Sequence, residues 1–353
     1  MKRIVMTGGG TAGHVTPNIA LLPILKEHGY EVSYIGSYNG IEKELIEEQG
    51  VKYYGISSGK LRRYFDLKNF SDPFKVIKGY FQAKSLLRKI KPDVVFSKGG
   101  FVSVPVVIAA GRKHIPTIIH ESDITPGLAN RLAIPYASKV CCNFPETISH
   151  LPSDKALLTG SPIRAELLSG DAATGREICG FNNDKPILMI IGGSTGARHV
   201  NDAVREILPS LLETFQVVHL CGSGMKDDSL ENTSGYVQFE YVKDDLKHLF
   251  AAADILISRA GANAICEILA LKKPNVLIPL SAAASRGDQI LNAKSFSKMG
   301  FSYMLEEENL TSDTLLASVD EVYSHREKYI EAMANSPMPN AIETIFNLIE
   351  EVS

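Results

Sequence analysis

The chain has 353 residues, 44% hydrophobic and 22% charged, with a formal net charge of −3. That length suits two domains rather than one core, the balance gives no sign of long disorder, and the small charge excludes a whole-molecule pull toward nucleic acid or anionic membrane. Its five cysteines, Cys141, Cys142, Cys179, Cys221 and Cys266, contain no C-x-x-C pair, so neither a disulfide framework nor a zinc knuckle is expected and a reducing cytoplasm fits.

After Met1-Lys2-Arg3 the apolar stretch stops at Thr7, too soon for a signal-peptide core. No run approaches the roughly 20 residues of a spanning helix, so any membrane contact is expected to be peripheral. The strand Arg3–Thr7 runs into Gly8-Gly9-Gly10-Thr11-Ala12-Gly13-His14, and a helical pattern follows through Ala20, Leu21, Leu22 and Leu25 to Gly29. Buried strands are expected at Glu31–Gly36, Asp93–Ser97, Thr117–His120 and Lys139–Asn143. Ser161-Pro162, Gly170 and Asn182-Asn183 punctuate a seam over 161–185. The plan then repeats: the strand Pro186–Ile191 precedes Gly192-Gly193-Ser194-Thr195-Gly196-Ala197, with a helix from about Arg198 to Phe215. Further strands are expected at Gln216–Cys221, Val237–Tyr241, Asp254–Ser258 and Pro274–Ile278. After Pro337 and Pro339, a terminal helix carries Ile342, Ile345, Phe346 and Ile349 on one stripe, which suits packing back on the first domain. Alternating strands and helices imply an α/β chain of two doubly wound parallel-sheet, Rossmann-like domains, residues 1–162 and 163–336, with a closing helix in 337–353.

A strand that runs into glycines and then a helix lets backbone N–H groups approach an anion closely, phosphate above all. Either turn alone could equally be tight packing; two in one chain favour a phosphorylated ligand beyond the carboxyl ends of the strands, in the cleft between the domains. Neither matches G-x-x-x-x-G-K-[ST], and the first, though Gly8-x-Gly10-x-x-Gly13 fits the G-x-G-x-x-G frame, is followed by no clear ribose-binding acid at a second strand end, which weakens ATPase and dinucleotide readings.

Six segments taken together are more specific: Gly9–His14, His120-Glu121-Ser122-Asp123, Gly160-Ser161-Pro162-Ile163-Arg164, Gly192–Arg198, Ser258-Arg259-Ala260-Gly261-Ala262 and Asp288-Gln289-Ile290-Leu291-Asn292-Ala293. In order and over nearly the whole chain, they resemble the MurG-type transferases of bacterial cell-wall synthesis. The resemblance implies the GT-B architecture and inverting transfer of N-acetylglucosamine from UDP-N-acetylglucosamine to the 4-hydroxyl of muramyl-pentapeptide on undecaprenyl pyrophosphate, converting lipid I to lipid II. It implies no cofactor and no nucleic acid, work at the cytoplasmic face of the cell membrane, and partners among cell-wall synthesis or division proteins. No Asp-x-Asp pair at a strand end calls for a metal.

Site roles follow residue by residue. Thr11, Ala12 and Gly13 line the first turn. Ser194 is placed to offer hydroxyl and N–H to the diphosphate, or merely to cap a helix. Arg164 can neutralise phosphate charge as UDP leaves. Arg259, Gly261 and Ala262 follow a strand end, and Glu267 resembles the family's ribose-binding glutamate, a carboxylate suited to a diol. Gln289 and Asn292 share a helix face and resemble the pair that reads the sugar hydroxyls; Val242 resembles the position whose backbone reads uracil. His14 is the attractive acid–base group because imidazole titrates near neutral pH, with His120, Glu121 and Asp123 competing. Ser122-Asp123 and Thr195 depart from the family's Gln-Asn and Gln, leaving acceptor and phosphate contacts open.

Residues 60–91 carry ten basic residues against Asp66 and Asp72, a local +8. Arg62, Arg63, Phe70, Phe74, Lys75 and Lys78 form the candidate membrane patch, basic and aromatic together. The same composition could bind nucleic acid or turn its apolar members to the core; a lipid-linked acceptor favours the membrane. A UDP-N-acetylglucosamine 2-epimerase of related fold is the alternative enzyme, and a nucleotide-sugar or RNA-binding protein the non-catalytic one.

Overall fold

The computed structural model describes residues 2–59, 72–193, 197–282 and 287–353. The chain divides into two units, Met1–Arg164 with Met338–Ser353, and Ala165–Pro337.

The first unit holds strands β1 (Arg3–Thr7), β2 (Glu31–Ser37), β3 (Lys52–Ile56), β4 (Val94–Ser97), β5 (Thr117–Glu121), β6 (Lys139–Cys142) and β7 (Ala156–Leu158). They form one sheet in the order β3-β2-β1-β4-β5-β6-β7, and every pairing is parallel. Period-two alternation sends Ile4 and Met6 into one core and Val5 into another. Because helices cover both faces, the central strands read as unbroken apolar runs. The closing helix Ala341–Val352 joins the core of β1 and helix Thr16–Glu27 through Ile345, Phe346 and Ile349. Burial of each such side chain contributes about 1.5–3 kcal/mol. Lys2 fixes the helix end through an ion pair to Glu350 at 3.1 Å.

The second unit holds β8 (Ile187–Ile191), β9 (Gln216–Leu220), β10 (Tyr236–Phe239), β11 (Ile255–Ser258), β12 (Asn275–Leu277) and β13 (Tyr303–Met304). Their order is β10-β9-β8-β11-β12-β13, again all parallel. The single helix expected after β8 is two, Arg198–Glu206 and Leu208–Thr214. Pro209 explains the break, since its ring has no N–H to donate and suits only a helix's first turn.

In both sheets the strand order reverses once, between β1 and β4 and between β8 and β11. Ligands of open α/β sheets sit at such reversals, outside the carboxyl ends of the strands.

Candidate active site

At the first unit's reversal, the glycine turn is filled from within. A Cβ on Gly9 would lie 2.6 Å from the Glu42 carboxyl carbon. Glu42 is wholly buried; its Oε2 accepts from Gly10 N at 3.2 Å, and its Oε1 from Ser37 N at 3.0 Å and Ser37 Oγ at 2.5 Å. Glycine is required here to admit a carboxylate of the chain itself. Thr11 and Gly13 are exposed beside the single turn Ala12–His14, and Thr11 Oγ1 lies 3.0 Å from His14 Nδ1.

Burial, and then the Lys98 ammonium, lower the His14 pKa to about 4 against the opposing pull of a Gly9 backbone hydrogen bond and of Glu42. The imidazole is therefore neutral at pH 7, the form that accepts a proton. Lys98, absent from the expected site, is buried and lies 2.9 Å from His120 Nδ1, with a further hydrogen bond to Ser122 Oγ. A lysine directly after a buried strand and ahead of two glycines was the available signal.

The structure separates the four acid–base candidates. His120 Nε2 lies 2.8 Å from the Gly160 carbonyl, which can only accept, so Nε2 carries the hydrogen and Nδ1 accepts from Lys98. Burial holds His120 well below the ordinary histidine value. The Glu121 carboxylate takes Ser122 N, Asp123 N, Gly127 N and Asn130 Nδ2 at 2.8–3.1 Å. Four donors fill its acceptor capacity, and it serves as the clamp of the loop after β5. His120 and Glu121 thus have their polar atoms engaged by the fold, while His14 and the half-buried Asp123 stand beside them as candidates.

The second reversal is open. A cavity of about 140 Å³ is lined by Ile191, Gly193, Val242, Phe250, Ala264 and Glu267, among others. A Cβ on Gly193 or Gly261 would meet nothing within 4 Å, so space, not internal packing, surrounds them. Gly261 is the N-cap of helix Ala262–Leu271 and supplies no side-chain cap, a kind of helix start suited to an anion.

Arg259 does not stand free. Its guanidinium donates to Ile278 O at 3.1 Å and to Glu307 Oε1 at 2.5 Å, with side-chain exposures of 12% and 8% for the pair. Ser281 N donates to Glu307 Oε2 at 2.9 Å. Burial alone would push the Glu307 carboxyl up, but Arg259 and the Ser281 N–H outweigh it and hold the group below the ordinary carboxylate value. Gln289 Oε1 accepts from Leu280 N at 3.0 Å, and Asn292 Nδ2 donates to Ala260 O at 3.1 Å. Asn292 is buried, and its Oδ1 has no hydrogen-bond partner among the described residues.

The second unit thus brings Val242, Arg259, Gly261, Ala262, Glu267, Gln289 and Asn292 to the carboxyl ends of one sheet. Arg164 is half-buried at the last position of the first unit. Ser194, Arg62, Arg63 and Phe70 lie outside the described residues. Among the described residues, no group of three His, Cys, Asp or Glu side chains is arranged to hold a metal.

On helix Asp72–Ile90, Ala83 and Leu87 face the core, whereas Phe74 is 74% exposed and Ile77 and Phe81 are exposed with it. Their spacing is one helical stripe. Lys75 and Lys78 are exposed alongside.

Comparison with known proteins adds the family. Residues 4–142 match the glycosyltransferase family 28 N-terminal domain and residues 187–345 its C-terminal domain. A protein of Lachnospira eligens named UDP-N-acetylglucosamine–N-acetylmuramyl-(pentapeptide) pyrophosphoryl-undecaprenol N-acetylglucosamine transferase is 67% identical over 353 residues, 100% of both chains. One of the same name from Clostridium botulinum is 59% identical over 99% of both. The crystal structure of Acinetobacter baumannii MurG aligns over 99% of this chain and 100% of its own, with a TM-score of 0.76 and 27% identity. The UDP-GlcNAc 2-epimerase of Methanocaldococcus jannaschii aligns over 99% of this chain and 100% of its own with a TM-score of 0.69 at 13% identity, a likeness of fold alone.

Proposed function

The chain belongs to glycosyltransferase family 28, and on that premise we propose how its residues carry out the family's chemistry. It transfers N-acetylglucosamine from UDP-N-acetylglucosamine to the 4-hydroxyl of the muramyl sugar in undecaprenyl-pyrophosphoryl-N-acetylmuramyl-pentapeptide, making lipid II from lipid I. Its identity to relatives of that name runs the length of the chain, whereas the epimerase shares only the architecture.

The observation that carries the site assignment is the open cavity at the second sheet's reversal. It joins an apolar wall suited to uracil at Val242, a carboxylate suited to the ribose diol at Glu267, and a helix start without a side-chain cap, suited to diphosphate. Gln289 and Asn292 then read the sugar. Arg259 has its charge met by Glu307 and does not serve as a free counter-ion.

The reaction is one displacement. Neutral His14 takes the proton of the acceptor's 4-hydroxyl, the oxygen attacks the anomeric carbon from the side opposite the leaving group, and the bond to UDP breaks with its electron pair passing to the diphosphate. Developing charge there is met by helix N–H groups and by Arg164. Inversion follows from the single step.

The acceptor's lipid cannot leave the bilayer. The stripe of Phe74, Ile77 and Phe81, flanked by Lys75 and Lys78, supplies apolar insertion with attraction to anionic headgroups, and supports peripheral attachment at the cytoplasmic membrane face. Among the described residues no helix is long and apolar enough to cross a membrane.

The test is UDP release from UDP-N-acetylglucosamine with and without a lipid I analogue. Release that depends on acceptor is expected; formation of UDP-N-acetylmannosamine without acceptor would establish the epimerase instead.

A further inference from the structure

We infer that Glu307 is a positioning residue for the sugar half of the donor, an assignment that rests on the donor site proposed above. Glu306-Glu307-Glu308 looks like a solvated acidic run, yet only the middle carboxylate is turned inward. One oxygen holds Arg259 and the other holds Ser281 N, while Arg259 also grips Ile278 O. These three bonds tie the segment after β11 to the segment after β12. A looser contact reaches His199 Nδ1 at 3.7 Å, at the start of helix Arg198–Glu206.

The tied segments are the ones that orient the two sugar-reading amides. Leu280 N, beside Ser281, can only donate, so it spends the oxygen of Gln289 and leaves that amide's NH2. Ala260 O, beside Arg259, can only accept, so it spends the nitrogen of Asn292 and leaves that amide's buried oxygen. The helix therefore keeps one unspent donor at Gln289 and one unspent, buried acceptor at Asn292, a complementary pair for sugar hydroxyl or acetamido groups. Glu307 holds both backbone segments that set this polarity. It is not among the residues lining the cavity of Val242 and Glu267, and the two backbone atoms it steadies, Leu280 N and Ala260 O, each bond a sugar-reading amide, so its influence falls chiefly on the sugar.

Calorimetric titration of the full chain with UDP and with UDP-N-acetylglucosamine tests this. In Glu307→Gln the affinity for UDP-N-acetylglucosamine should fall about tenfold, the scale of a disturbed pair of hydrogen bonds, while UDP affinity stays within about twofold. A purely structural role would leave the ratio of the two affinities at its wild-type value, and that result overturns the inference. Should the buried Arg259 charge, left unmatched, unfold that variant, Arg259→Met/Glu307→Leu removes both charges and keeps the volume; the same shift in ratio is expected, and a wild-type ratio again overturns it. Wild-type protein that binds neither nucleotide would instead remove the donor site itself.

Discussion

His14 offers the sharpest pH test of the proposed chemistry. An ordinary histidine near 6.5 would be about nine-tenths protonated at pH 5.5 and useless as a base there. With its pKa lowered to about 4 by burial and by Lys98, His14 would be only about 3% protonated at that pH. The acid limb of kcat/KM, which reports free-enzyme groups, should thus stay flat to about pH 5 and fall near 4, followed on a water-soluble acceptor with folding monitored by circular dichroism. Lys98→Met removes a cation that opposes charging of the ring, so the limb should move to higher pH. His14→Ala should lose about 100-fold or more in turnover, the usual share of a general base, while still binding UDP. A limb near 6.5 in the wild type, or near-normal turnover in His14→Ala, would refute the assignment and leave Asp123 as the candidate.

Three other outcomes are expected. Glu267→Ala should weaken UDP binding by about 10–100-fold through loss of charge-assisted hydrogen bonds to the ribose, and unchanged calorimetric affinity would remove Glu267 from the site. Phe74→Ser/Ile77→Ser/Phe81→Ser should abolish cosedimentation with anionic vesicles yet retain turnover of a soluble acceptor, because the stripe lies in the unit that does not hold the donor cavity; persistent vesicle binding would move the membrane contact elsewhere. His14 and His219 are both held neutral, His219 at about 3 chiefly by burial. Between about pH 4 and 6.5 the unfolded chain therefore binds more protons than the folded one, and stability should fall as pH falls through that window. A urea midpoint equal at pH 7 and 5 would contradict this.

Apart from the edge strand β10, the strands legible in the sequence are chiefly those buried on both faces, such as β8, with Ile187, Leu188, Met189 and Ile190 all inaccessible. The strands it did not reveal, β3, β7 and β13, are sheet edges or two to five residues long and half exposed, so neither a period of two nor an apolar run marks them. Val242 and Glu267 lie outside the six quoted segments, and the roles proposed for them, like those of Gln289 and Asn292 within Asp288–Ala293, rest on the family resemblance. Glu42, Lys98 and Glu307 were not legible. Each is a charged residue whose role depends on a contact distant in sequence, 48 positions for Glu307 and Arg259; from sequence alone Glu42 and Glu307 read as ordinary surface, and Lys98 is marked only by its place between a buried strand and two glycines. Arg259 shows the same gap from the other side, since its motif marked the position but not the carboxylate that neutralises it.

The most direct test is the structure of the product formed from UDP-N-acetylglucosamine and a lipid I analogue. Nuclear magnetic resonance of the disaccharide should show N-acetylglucosamine joined to the muramyl 4-oxygen with a β anomeric coupling, inverted from the α-linked donor. An α-linked product, linkage through another oxygen, or recovery of unmodified acceptor with a rearranged nucleotide sugar would contradict single-displacement transfer by this chain.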